Sequence, residues 1–228
     1  MGFFDPLYFL FIAPAFLLGL WAQMRIRATY GEAQRLAAPL SGAAAARHIL
    51  NSAGLQHVDV EQVPGHLSDH YDPRQKVLRL SPEVYQSRSL AAVGIAAHEA
   101  GHAIQDARAY APLVIRNAVV PAAGFGSNVG MLLVILGAIL QMNAVLIWLG
   151  IGLFSAVVFF QIVNLPVEFN ASSRAKAQLV EMGIVGREEL VYVEKVLNAA
   201  ALTYVAATLQ AILTLLNLII RFTGGSRD

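Results

Sequence analysis

A chain of 228 residues that is 57% apolar and only 14% charged lacks the make-up of a water-soluble domain, in which about a quarter of the residues are charged. A net charge of +1 gives no long-range field to draw in nucleic acid, and the absence of cysteine excludes disulfides and thiolate metal ligands. The charge is also segregated: residues 25–116 hold ten of the sixteen Lys and Arg, while 117–165 hold no ionisable side chain. That pattern predicts an integral membrane protein with the lipid bilayer as a partner, because a bilayer-crossing helix needs ~20 mainly apolar residues.

The first candidate span covers residues 7–24, "LYFLFIAPAFLLGLWAQM", with Pro14 inside. It is short, and Phe3 and Phe4 extend it. A cleaved signal peptide is disfavoured, since no Lys or Arg precedes the run and no small-residue cleavage site follows it.

Residues 25–116 form the first polar segment. Positions 25–56 read as helical, with Ser41 placed to cap "SGAAAARHILNSAGL" and Gly54 to stop it. Val58 and Val60 alternate with polar residues, "KVLRL" is a short β-like run, and Asp72-Pro73 marks a turn, so 66–80 is predicted to form a small hairpin. Ser81 and Pro82 open another short helix. A long helix follows from about Ser89 to Tyr110 and stops before Pro112.

The second span covers 117–140 and carries Gly124, Gly126 and Gly130 at a spacing that suits close helix packing. After the "QMN" link the third span covers 144–165. A second polar segment covers 166–198, the fourth span covers 199–220, and "GGSRD" reads as a flexible end. With four spans, the two cation-rich segments fall on one side, fourteen Lys and Arg against two. The positive-inside rule makes that side cytoplasmic. The two segments total about 125 residues, close to the commonest domain size.

The chemistry sits in "AAHEAGHAIQ", residues 96–105. Residues four apart on a helix share a face, so His98 and His102 can both meet one zinc ion at ~2.0–2.1 Å. Glu99 is turned about 100° away and can take a proton from a water held there, the division of labour behind H-E-x-x-H. Unpartnered polar groups would be costly to bury in so apolar a helix, and Gly101, about 1 kcal/mol worse than Ala in a helix interior, suggests that something packs against that turn. A catalytic zinc takes three protein ligands and keeps a position for water. Position 108 is Arg, so the third ligand lies elsewhere: Glu168, His66, His70, Asp69 and Asp72 are the candidates. Glu168 is favoured because it follows the third span by three residues, on the side of the His98 helix.

The motifs "LSDHYDP", "KVLRLS", "AAHEAGHAIQ" and "LPVEFNAS", in this order and interleaved with apolar spans, resemble the YugP-like neutral zinc metallopeptidases, bacterial multi-span membrane proteins. The resemblance covers nearly the whole chain. It implies a gluzincin-like site, similar in outline to thermolysin and the HtpX-type membrane proteases, with the third ligand on a later helix at Glu168. Relatives often carry Asp where Asn170 stands, and thermolysin-like enzymes carry Asp where Ser172 stands, so a carboxylate orienting a zinc-bound histidine is not assured.

The expected fold is therefore a mainly α integral membrane protein with about four transmembrane helices and a small α+β zincin-like (gluzincin-type) domain containing a short β-hairpin. The expected function is that of a zinc-dependent endopeptidase of the bacterial inner membrane, with one Zn2+ per chain. Its active site faces the cytoplasm, and its substrates are polypeptides, membrane proteins among them. Ligands are His98, His102 and Glu168, and Glu99 is the base. Tyr192 and Arg174 are candidate oxyanion donors, and the edge of "KVLRL" could receive an extended substrate. The alternative is a zinc-binding membrane scaffold or adaptor without proteolytic activity. A transporter is disfavoured: Asn128, Gln161, Asn164, Gln210 and Asn217 are polar but uncharged, suited to bonds between helices rather than to an ion path.

Overall fold

The computed structural model describes residues 6–140 and 142–223; Phe3 and Phe4, Gln141 of the predicted link and the "GGSRD" end lie outside them. The elements in order are α1 (Pro6–Gln34), α2 (Gly42–Ser52), β1 (Asp59–Gln62), β2 (His70–Asp72), β3 (Val77–Leu80), α3 (Pro82–Gln86), α4 (Leu90–Ala107) and α5 (Ala111–Phe125). A π-helical turn at Gly126–Gly130 then leads to α6 (Met131–Ile139), α7 (Ala144–Glu181) and α8 (Leu190–Thr223). Four helical stretches are long and apolar enough to cross a membrane: Phe9–Gln34, Ala111–Ile139, Ala144–Glu181 and Leu190–Thr223. The described residues divide into two compact units. One takes the chain up to Trp21, Val114–Leu165 and the residues from Leu202 on; the other takes Ala22–Leu113 and Pro166–Ala201.

In the first unit, glycines bring two helices into backbone contact. A Cβ on Gly126 would strike the Leu153 carbonyl oxygen, and one on Gly130 would lie 3.0 Å from the Gly150 oxygen and the Phe154 nitrogen. Gly124, predicted to share this role, has nothing within 4 Å. Small clusters such as Val134, Ile147 and Ile151 with Leu215 and Leu218 fill the interior. Leu132, Val145, Leu149 and Phe159 stay exposed, an outward face matched to acyl chains rather than water. One polar bond joins two helices here, Thr208 Oγ1 of α8 donating to Gln161 O of α7 at 3.4 Å, but Asn128 and Asn164 do not build the bonds expected of them. The Asn128 amide donates to Gly124 O of its own stretch, and Asn164 Oδ1 is buried without a hydrogen-bond partner among the described residues.

The second unit has one core, in which Ile49 and Leu50 of α2, Leu78 and Leu80 of β3, Val84 of α3, and Leu90 and Val93 of α4 meet Leu179 of α7 and Val193 of α8. Full burial of each such side chain is worth roughly 1.5–3 kcal/mol. The predicted helix over 25–56 is in fact two helices. α1 stops at Gln34, and Leu36–Ala38 runs alongside Arg88–Leu90, with Ala38 N donating to Arg88 O and Leu90 N to Leu36 O, both at 2.9 Å. Pro39 cannot donate into a continuing helix, and Ser41 restarts one by accepting from Ala44 N. Gly54, at φ +77°, follows the end of α2 as expected.

The predicted hairpin is β2 and β3, antiparallel with Tyr71 opposite Leu78. Asp72 Oδ1 makes the turn by accepting from the backbone of Arg74 at 2.9 Å and Gln75 at 3.2 Å. A third strand, β1, adds to the other side of β3 in parallel register, giving the order β1-β3-β2. This corrects the expectation that "KVLRL" offers an edge: β3 is the central strand, hydrogen-bonded on both sides, and the outer strands are β1 and β2. Ser81 precedes α3, but its side chain does not cap that helix. Its backbone N–H and hydroxyl both donate to Asp69 Oδ1, at 2.8 and 3.1 Å.

Candidate metal centre

α4 starts where expected: Ser89 Oγ accepts from Ala92 N at 3.2 Å, satisfying one of the free N–H groups of the first turn. The helix ends at Arg108 and Ala109, the latter at φ +47°, so Pro112 falls inside α5. Along one face of α4 lie His98, His102 and Gln105. The apolar residues Val93, Ala96, Ala97 and Ala100 root the helix in the core of its unit.

α7 crosses α4 at Gly101. A Cβ there would lie 2.8 Å from Ala171 O and 3.3 Å from its Cα, so only glycine lets the two backbones come this close. The crossing sets the residues before and after Ala171 against the two histidines. α7 runs unbroken from the third span through Pro166; the proline costs the helix one donor to Ile162 O without ending it.

At the crossing Glu168 Oε2 lies 3.2 Å from His98 Nε2 and 3.7 Å from His102 Nε2. Candidate ligand atoms of the three residues all fall within 4.8 Å of one another. The imidazole rings stand edge-on, with centroids 4.7 Å apart at 87°. The carboxylate is 4% exposed and His102 8%, so the cluster is largely closed to water while His98 is half-buried. Burial alone would push the His102 imidazole down; the Glu168 carboxylate 3.7 Å away and the nearby Glu99 charge outweigh it and raise it.

The fit to a zinc ion follows from the donors. Four ligands placed tetrahedrally at ~2.0–2.2 Å lie roughly 3.3–3.6 Å apart, and the two measured Nε2–Oε2 separations bracket that range. Two neutral-capable imidazoles and a carboxylate are also a set found at catalytic zinc sites. The second nitrogen of each ring has a partner: His98 Nδ1 lies 3.1 Å from Ser172 Oγ and His102 Nδ1 2.9 Å from Gln105 Oε1. Glu99 is half-buried, adjacent in sequence to His98, and makes no hydrogen bond or ion pair among the described residues, so its carboxylate is free to act as a base.

The other candidate ligands are engaged elsewhere. His66 Nδ1 pairs with Glu83 at 2.7 Å, His70 Nδ1 with Ser68 O at 2.7 Å, Asp69 holds Ser81, and Asp72 makes the hairpin turn and meets Arg79 at 3.1 Å. Of the two oxyanion candidates, Tyr192 lies under the Lys195 ammonium, 4.8 Å from the ring centroid, and Arg174 Nε donates to Asn170 Oδ1 at 2.7 Å. Gln105 went unnoticed in the sequence. Its signal was its spacing, three residues after His102 and seven after His98, which keeps all three on one helical face.

Comparison with known proteins places nearly the whole chain in a family. The model of a family described as "Putative neutral zinc metallopeptidase" matches residues 8–223. The chain is similar to "Putative membrane protease YugP" of Bacillus subtilis (strain 168), 47% identical over 220 residues that cover 95% of this chain and 97% of that protein. No solved structure matches. The chain belongs to the neutral zinc metallopeptidase family.

Proposed function

We propose that this family member is a membrane-embedded zinc endopeptidase, with His98, His102 and Glu168 holding one Zn2+ per chain and Glu99 as general base. The carrying observation is the closed three-donor cluster beside a carboxylate with no hydrogen bond or ion pair among the described residues. Zinc bound there would supply a Lewis acid for the scissile carbonyl and lower the pKa of a water toward ~7. Glu99 takes the proton from the attacking water and returns it to the departing amine as the C–N bond breaks. A purely structural zinc has no use for that neighbouring carboxylate, which weighs against a scaffold.

The crossing of α4 and α7 beside a small sheet in the second unit supports a zincin-like domain of gluzincin type. The fourteen-to-two excess of Lys and Arg on one side of the spans supports an active site facing the cytoplasm, in a bacterial inner membrane. Glu168 is the third residue after the apolar stretch ending at Leu165, which favours polypeptides at or in the membrane as substrates.

The test is zinc stoichiometry and casein cleavage of detergent-purified protein. Wild type is expected to hold about one zinc per chain and to cut. Glu99→Gln is expected to keep the zinc and lose the cutting, and Glu168→Ala to lose both. Zinc retained in Glu168→Ala sinks the ligand assignment; zinc without cleavage in wild type favours the scaffold.

A further inference from the structure

We propose that Gln105 is a positioning residue that locks His102 in the one tautomer able to bind the metal. The inference rests on the zinc reading above. Gln105 is completely buried, and all its polar capacity is spent at the crossing of α4 and α7. Its Nε2 donates to Val167 O at 2.8 Å and to Asn170 Oδ1 at 3.0 Å, while its Oε1 faces His102 Nδ1 at 2.9 Å.

The orientation of this amide is forced from both ends. A backbone carbonyl can only accept, so Val167 O requires the NH2 of Gln105. An Arg N–H can only donate, so Arg174 Nε requires an oxygen at Asn170, and that oxygen again requires the NH2 of Gln105. The carbonyl of Gln105 must therefore point at His102. A carbonyl cannot donate, so Nδ1 carries the proton and Nε2 presents a lone pair toward Glu168. A free histidine side chain prefers the opposite tautomer, with its proton on Nε2, where the metal must sit. Without Gln105 the ring would have to pay for that rearrangement at each metal-binding event.

His98 has no equivalent lock. Its Nδ1 meets the Ser172 hydroxyl, which can rotate to donate or accept and so imposes no tautomer by itself. The orienting carboxylate that Asn170 and Ser172 left unassured is thus not needed at His102, which is held by an amide whose own direction is set by a main-chain carbonyl and an arginine. The lock adds no charge to a cluster that already holds Glu168.

Gln105→Met keeps the volume and removes the acceptor. Zinc affinity by chelator competition is expected to fall ~10–100-fold, as for other partners of ligating histidines. In 15N-histidine spectra of zinc-loaded wild type, the His102 Nδ1–H should give a downfield, slowly exchanging resonance that Gln105→Met loses. Unchanged affinity with that resonance retained overturns the proposal. If Gln105→Met does not fold, Asn170→Ala serves: it removes one of the two acceptors holding the amide, so a smaller loss of affinity is expected and none at all overturns the lock. A wild type that binds no zinc, or a Glu168→Ala variant that binds it normally, instead overturns the metal reading on which the lock depends.

Discussion

Glu168 Oε2 and His98 Nε2 lie 3.2 Å apart although 70 residues separate them in the chain. A buried carboxylate shared by two imidazoles is a site that a divalent cation binds in the folded state and hardly at all in the unfolded one. Removing zinc with a chelator should therefore lower the thermal midpoint of wild type, since ligand bound only to the native state stabilises it by RT ln(1 + [L]/Kd). Glu168→Ala should show no such chelator-dependent drop. An equal drop in both would place the stabilising metal somewhere else.

Ser172→Ala should weaken zinc binding by about 10-fold, the low end for loss of a hydrogen-bond partner of a ligating histidine. Its effect should be smaller than that of Gln105→Met, because the hydroxyl at His98 Nδ1 orients the ring without dictating which nitrogen is protonated. Chelator competition on the two purified variants ranks them directly.

Gly101→Ala sets two effects against each other. Alanine gains about 1 kcal/mol in a helix interior, but its Cβ would lie 2.8 Å from the Ala171 carbonyl, and such overpacking costs about 1–3 kcal/mol. The obstacle is backbone, which cannot swing aside, so the loss should win and zinc affinity should fall as α4 and α7 part. Gly31→Ala, with nothing within 4 Å of the added carbon, is the control and should keep its zinc. Melting curves and zinc titration of the pair decide the point.

Tyr71 on β2 donates to Asp106 Oδ2 at 2.7 Å, beside Lys76 at 2.6 Å from the same oxygen, tying the hairpin to the last turn of α4. Tyr71→Phe should cost about 1.5 kcal/mol, as for a hydrogen bond to a charged group. Burial first, and then the hydrogen bond and charge of Asp106, raise the Tyr71 hydroxyl. Its contribution is therefore complete below the unfolded value near 10 and declines as pH rises beyond it. Denaturation of both proteins between pH 8 and about 11 should show a constant gap that narrows only at the alkaline end.

Asn164→Leu should stabilise the protein. Asn164 Oδ1 is buried without a hydrogen-bond partner among the described residues, and leaving a polar group in that state costs about 1–3 kcal/mol. Leucine keeps the branching at Cγ and has no such need. A lower melting temperature in the variant would mean that the oxygen has a partner in the membrane.

Sequence reasoning reached His98, Glu99 and His102 because a helix puts residues four apart on one face, a local rule that needs no tertiary knowledge. Glu168 was reachable only by combining its chemistry with its place after an apolar run, and Gln105 was passed over because a lone glutamine carries no motif. Ser41, Gly54 and the Asp72-Pro73 turn were legible for the same local reason. The parallel partner β1 was not: pairing across an intervening hairpin leaves no mark in either strand. Nor was the split at Pro39, whose extended neighbours are held by Arg88 and Leu90, fifty residues away.

The 70 residues between the paired histidines and Glu168 also have a meaning in time. A ribosome adds ~5–20 residues per second, so His98 is added roughly 4–14 s before the carboxylate that completes the cluster exists. During that interval the chain carries two imidazoles and a base but no third donor. The nascent protein therefore emerges with its candidate metal cluster incomplete, and the apolar first half of α7 must be made before that cluster can close.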